Sequence, residues 1–211
     1  MPVPTPELTQ RITSGILFGS IVIILTALSP LTFAVMVIAG WYVLISEWSD
    51  LTKGRGIRFS VLGACYMTSA VIALTYLRIV DVYILFAVFA IVWTGDITAY
   101  FVGKKYGKHK IAPAISPGKS WEGLAGAVIA SALMGAALGH VAPLPHAILG
   151  ALFAVLGLAG DLFESSLKRH AGVKDSGTII PGHGGLFDRV DALLPCAIFA
   201  AVALYIRLGS Q

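Results

Sequence analysis

The stretch VYILFAVFAIVWTGDITAYF, residues 82–101, decides the class of fold. It is an apolar run long enough to cross a hydrocarbon layer, which takes roughly 20 helical residues. One carboxylate, Asp96, interrupts it late, and Lys104, Lys105, Lys108 and Lys110 follow at once. A run that is apolar all round has no face to offer water, and a basic cluster at its end marks where a membrane helix stops. The rest of the chain agrees: 57% of its 211 residues are hydrophobic, 12% are charged, and the mean hydropathy is +0.85. Lipid is the solvent that such a composition suits.

Working outward, six further stretches have the same character, at about Ile12–Leu28, Leu31–Trp48, Phe59–Leu77, Trp121–Val141, His146–Phe163 and Ala192–Leu208. The expectation is an all-α, polytopic integral membrane helix bundle of about seven transmembrane helices, forming a single domain over residues 1–211. Ser29-Pro30 reads as a tight turn between the first two spans, and Pro143 and Pro145 as a break between the fifth and sixth. Arg11 gives the first span little of the positive flank of a signal peptide, so a retained helix is expected there. Cys65 and Cys196 lie far apart in apolar runs, with neither a disulfide framework nor metal-ligand spacing, and read as small buried side chains.

With seven spans, thirteen of the fifteen Lys and Arg fall on one side and only Arg78 and Arg207 on the other. The positive-inside rule makes the rich side cytoplasmic, with the N-terminus inside and the C-terminus outside. Topology signalling and attraction to anionic lipid heads account for Lys53, Arg55 and Arg58. They do not account for the segment from Ser165 to Asp191, where four basic residues, three aspartates, two histidines and five glycines gather.

Carboxylates inside membrane helices are costly and mark functional sites facing the bundle interior. Asp161 and Glu164, three apart, share one helical face, and Asp188 and Asp191 repeat the spacing where the last helix is expected to begin. Two such acidic helix ends make a hard-oxygen site suited to Mg²⁺, with helix capping as the alternative for Asp188 and Asp191. Lys168, Arg169, Lys174 and Arg189 beside a divalent cation describe a polyphosphate site, and Gly182, Gly184 and Gly185 let the backbone approach phosphate oxygens. His183 either donates to phosphate or orders the loop, and zinc is a poor fit to His170 and His183.

The ordered run from Ser166 to Asp191, SLKRHAGVKDSGTIIPGHGGLFDRVD, resembles the signature of the phosphatidate cytidylyltransferases, also called CDP-diacylglycerol synthases. The resemblance extends to GDLFES (Gly160–Ser165), SPGKSWEG (Ser116–Gly123) and GDITAYFVGKKYGKHKIAP (Gly95–Pro113), so residues 95–191 carry the motifs. Upstream it is limited to a first-helix pattern and SEWSDL around Glu47 and Trp48, and one span fits between Lys53 and Asp81 where many bacterial members have more.

The resemblance implies transfer of CMP from CTP to phosphatidate, giving CDP-diacylglycerol and pyrophosphate for phospholipid biosynthesis, dependent on Mg²⁺, with a second cation such as K⁺. It implies catalytic roles for Asp161, Lys168, Arg169, Lys174, Asp175, Asp188 and Arg189, and metal binding by Asp161, Asp188 and Asp191. Lys119, Ser116, Ser166, His183, Gly184 and Gly185 are implied on the substrates. Ser116 and Ser120 are also candidate caps for the fifth helix, and Trp121 reads as an interfacial anchor. The implied setting is a bacterial inner (plasma) membrane, with a cytoplasmic active site, membrane lipids as surroundings, a homodimer, and no nucleic-acid partner. Two alternatives stay open: CMP transfer to another lipid phosphate such as an archaeal ether lipid, and a cation-coupled transporter using Asp96, Asp161 and Glu164.

Overall fold

A computed structural model describes residues 6–139 and 142–210. In chain order it runs α1 (Pro6–Leu28), α2 (Pro30–Leu51), α3 (Ile57–Val80), α4 (Val82–Tyr106), a hairpin of β1 (Lys110–Ala112) and β2 (Ser116–Ser120), α5 (Trp121–Leu138), α6 (Pro143–His170), the short α7 (Phe187–Val190) and α8 (Leu193–Gly209). Helices α2 to α6 are long and apolar enough to cross a membrane, while α1 from Thr13 and α8 contribute shorter apolar lengths. The expected all-α membrane bundle is therefore the observed one.

The bundle keeps an apolar interior but, unlike a water-soluble protein, is apolar on its outside as well. Large apolar side chains such as Leu31, Ile57 and Leu133 face outward, whereas Thr26, Glu47, Ser131, Glu164 and Lys168 are buried. In lipid an outward Leu costs nothing and an inward polar group must find its partner inside the protein. Cys65 faces outward on α3, contrary to the buried reading of its apolar surroundings, because lipid allows small apolar side chains on either face. Cys196 is buried and its thiol meets the Phe153 carbonyl oxygen at 3.3 Å.

Helix boundaries follow from local chemistry. Ser29 and Thr32 form a reciprocal capping box around Pro30, with both backbone-to-hydroxyl bonds at 3.1 Å, which makes the tight turn expected there. Asp81 caps α4 by accepting from the Tyr83 N–H at 2.8 Å. Pro143 and Pro145 do not precede the sixth span but begin it, since proline is tolerated in the first turn, where its missing N–H would have no helical partner. Helix α6 also continues beyond Phe163 to His170, so Asp161 and Glu164 lie within it and not at its end. It stops in a Schellman arrangement: Gly172, at φ +73°, donates to the Arg169 carbonyl and Val173 to that of Lys168. Helix α5 ends at Leu138; Val141, the expected limit, lies outside the described residues.

Small residues bring α4, α5 and α6 together. A Cβ on Gly150 of α6 would run into the Ser131 carbonyl of α5, and one on Gly95 of α4 would come within 2.6 Å of the Ser131 hydroxyl. That hydroxyl donates to the Ile91 carbonyl at 3.1 Å, so a polar bond and close backbone approach replace the hydrophobic drive that lipid removes. A second apolar cluster of Leu44, Trp48, Met67, Leu167, Phe187 and Leu194 joins α2, α3, α6, α7 and α8. Leu186, at the end of the loop that follows α6, packs against this cluster.

Candidate active site

The β1–β2 hairpin carries Lys119 on its second strand. Trp121 donates its N–H to the His109 carbonyl at 3.0 Å, His109 Nδ1 pairs with Glu122 at 2.6 Å, and Ser120 caps α5 by accepting from Gly123 at 3.2 Å. Between these fixed points Lys119 reaches α6 and forms an ion pair with Asp161. Burial by itself would lower the lysine pKa, but Asp161, backed by Asp96 and Asp191, outweighs it and holds Lys119 above its ordinary value.

On α6, Asp161, Glu164, Ser165 and Lys168 repeat at spacings of three, one and three, a single helical face. Lys168 Nζ donates to Glu164 Oε2 at 2.6 Å and to Asp188 Oδ1 at 2.5 Å. Asp188 Oδ2 accepts from two N–H groups of its own loop, Ser176 at 2.8 Å and Gly185 at 2.9 Å, and lies 3.0 Å from the Ser176 hydroxyl oxygen. Burial would raise this carboxyl, yet Lys168 and the loop donors outweigh burial and hold it below the usual range. Asp191 faces the other way in electrostatic terms: desolvation and the charge of Asp161 push it up to about 7, against the Ala192 N–H and Lys119.

The loop between α6 and α7 is shaped by its glycines. Gly182 and Gly184 have φ of +74° and +83°, which a residue with a Cβ adopts only under strain, and Ile180 donates to the Gly184 carbonyl at 2.9 Å. The turn leaves Lys174, Asp175, His183, Gly184 and Arg189 lining an open polar cleft of about 530 Å³. His183 also contacts Ser14 of α1 through Nδ1 at 2.9 Å, so it orders the loop while lining the cleft. Asp96, Gly103, Lys104, Lys119, Gly123 and Phe153 are among the residues lining a second, mostly apolar cleft of about 450 Å³ between α4, α5 and α6.

The structure thus pairs Lys119 with Asp161, and Lys168 with both Glu164 and Asp188, and of these residues Lys119 lines the apolar cleft. It places Ser116 on β2 and Ser166 on α6, outside the linings of both clefts. Of the two serines expected as caps, Ser120 takes the role. Arg169 turns outward and donates to the Ile115 and Val173 carbonyls at 3.1 and 3.4 Å, bracing the hairpin against the end of α6. Neither Asp188 nor Asp191 caps α8, because Asp188 belongs to the separate turn α7 and Asp191 follows it.

Among the described residues no three His, Cys, Asp or Glu side chains converge as a ready-made metal site. Two ammonium groups stand between the carboxylates instead, and Glu164 Oε1 is buried without a donor. Carboxylate oxygens, one of them a buried acceptor without a donor, are the ligand type that a hard cation such as Mg²⁺ takes.

Sequence reasoning gave Glu47 no role. On α2 it is buried, and it accepts the N–H groups of Leu186 and Phe187, each at 2.8 Å. Glu47 falls in SEWSDL, which carries part of the family resemblance, but nothing in that short stretch points to partners 139 residues further along the chain.

Residues 60–207 match the Cytidylyltransferase family. The chain is 36% identical over 194 residues to the phosphatidate cytidylyltransferase of Brucella abortus, covering 88% of this chain and 68% of that protein. It is 39% identical over 170 residues to that of Bacillus subtilis, covering 77% and 62%. Against that of Mycobacterium tuberculosis it is 43% identical over 123 residues, covering 56% and 38%. The chain therefore spans less than two thirds of the length of several of these relatives.

Proposed function

The chain belongs to the cytidylyltransferase family, and from that premise we propose that it transfers CMP from CTP to phosphatidate, forming CDP-diacylglycerol and pyrophosphate. The observation that carries this reading is the set of ion pairs Lys119–Asp161, Lys168–Glu164 and Lys168–Asp188, with Lys119 itself lining the apolar cleft and Arg189, the neighbour of Asp188 in sequence, lining the polar one. A phosphate oxygen of the lipid forms a bond to the α-phosphorus of CTP, and the bond from that phosphorus to the bridging oxygen breaks, releasing pyrophosphate. The nucleophile comes with the substrate, so the protein supplies alignment and charge neutralisation and no covalent nucleophile.

The polar cleft suits the triphosphate: Lys174 and Arg189 provide cationic donors, and the glycine turn brings the backbone close. The helix-lined cleft suits the lipid, with Lys119 and Lys104 for its phosphate and apolar walls for its acyl chains. Asp161, Asp188, Asp191 and Glu164 would hold Mg²⁺, which when bound polarises the phosphoryl group and neutralises leaving pyrophosphate. K⁺ as a second cation belongs to the same proposal, as does an inner-membrane protein with N-terminus and active site in the cytoplasm and C-terminus outside. So does a homodimer, for which crosslinking in native membranes should give a dimer band; a monomer alone would overturn it.

Radiolabelled CTP offered with a panel of lipid phosphates tests the reaction. Label entering phosphatidate is the expected result. Label entering only an ether or prenyl phosphate would keep the chemistry and change the acceptor. No label in any lipid would sink the transferase and favour a transporter, a reading that leaves the loop from Lys168 to Asp191 unexplained.

A further inference from the structure

Glu47 lies on α2, ahead of the stretch that carries the family match, and is 6% exposed. Removing a carboxylate from water costs several kcal/mol unless its oxygens are well satisfied. Here three donors reach it from one segment of chain: Leu186 N–H on Oε1 at 2.8 Å, Phe187 N–H on Oε2 at 2.8 Å, and the Ser176 hydroxyl on Oε2 at 3.0 Å. The loop closes on the carboxylate so tightly that a Cβ on Gly177 or Gly185 would come within 2.7 or 2.6 Å of its Oε1.

Ser176 links this anchor to the reacting side. Its oxygen is 3.0 Å from Glu47 Oε2 and 3.0 Å from Asp188 Oδ2, and a hydroxyl has one proton to give. Its backbone N–H is committed to Asp188 at 2.8 Å, so the residue is bonded to Asp188 whichever carboxylate takes the hydroxyl proton. The Leu186–Phe187 end of the loop is thereby fixed to Glu47 by two N–H bonds, and the Ser176 end is fixed to the same group when the hydroxyl proton points to it. Apolar packing alone would hold the loop at a distance; directed bonds also hold its orientation.

We propose that Glu47 is a positioning residue for nucleotidyl transfer: from α2 it fixes the Ser176–Asp188 loop, and so sets Asp188 against Lys168 and the polar cleft in register with Asp161. The kinetic part of this inference rests on the transferase reading; the structural part does not.

Glu47→Gln keeps the volume but turns an amide N–H toward a backbone N–H, two donors facing each other. In the full chain in lipid nanodiscs, amide exchange of the peptide holding Leu186 and Phe187 should quicken by about tenfold or more, with peptides of α4 and α5 unchanged and the same melting midpoint. Turnover should fall roughly 10- to 100-fold, as expected when a reacting group shifts by about an ångström. KM for CTP should rise, and KM for phosphatidate should not. Ser176→Ala should show a smaller loss, and the double variant should be no worse than Glu47→Gln, because both act through one connection.

Unchanged exchange at Leu186–Phe187 would overturn the anchor, as would a loosened loop with wild-type turnover. Activity falling only in proportion to folded protein would also overturn it, leaving Glu47 a stability residue. Should Glu47→Gln not fold, Ser176→Ala carries the same kinetic and exchange test. If the wild-type chain transfers no CMP at all, the transferase reading falls, and the exchange comparison still decides whether Glu47 holds the loop.

Discussion

The two oxygens of Asp188 do different things. Oδ1 meets Lys168, and Oδ2 gathers the loop through Ser176 and Gly185. Asp188→Asn can keep the second task with its amide oxygen, but it removes the charge facing Lys168. We therefore expect it to insert and purify normally while CMP transfer falls by about 100-fold or more, with partial rescue by added Mg²⁺. Near-wild-type turnover at ordinary Mg²⁺ would move the essential charge to Asp161 and Asp191. The carboxylate pairs were legible because their spacing of three is a helical signature. The ion pairs that join them were not, since Lys119 comes to Asp161 from 42 residues upstream through a hairpin without alternating β-branched residues.

The hairpin and α5 make one unit, hinged on Ser120. Ser120→Ala removes the cap of α5 and should cost about 1 kcal/mol of stability, read as a lowered melting midpoint in detergent. Ser116→Ala, on the same strand but capping nothing, should leave the midpoint within a few tenths of a kcal/mol, and equal effects would contradict the assignment of the cap. The helices were legible in the sequence because α2 to α6 have the apolar length of a bilayer and α1 and α8 come close to it. Their ends were harder to read: Pro143 permits a helix to start where it had signalled a break, and Gly172 ends α6 two turns after hydropathy does.

At the scale of the bundle, the basic residues bear on orientation. Thirteen of them against two should place a C-terminal reporter outside the cytoplasm, and an active cytoplasmic reporter there would overturn the proposed arrangement. Legibility at this scale stops at contacts between distant helices. Glu47 belongs to a stretch whose hydropathy speaks only of spanning, while its partners lie at the far end of the chain. The two thiols have a practical consequence of their own. Cys65 faces out and Cys196 is sealed against Phe153, so the natural chain already carries a single attachment point for a fluorophore or spin label. In detergent a small, membrane-permeant maleimide dye should attach once per folded chain, slowly because Cys65 lies in the apolar belt where little thiolate forms, and twice after denaturation. Two dyes on the folded chain would mean that α8 does not pack against α6 as described.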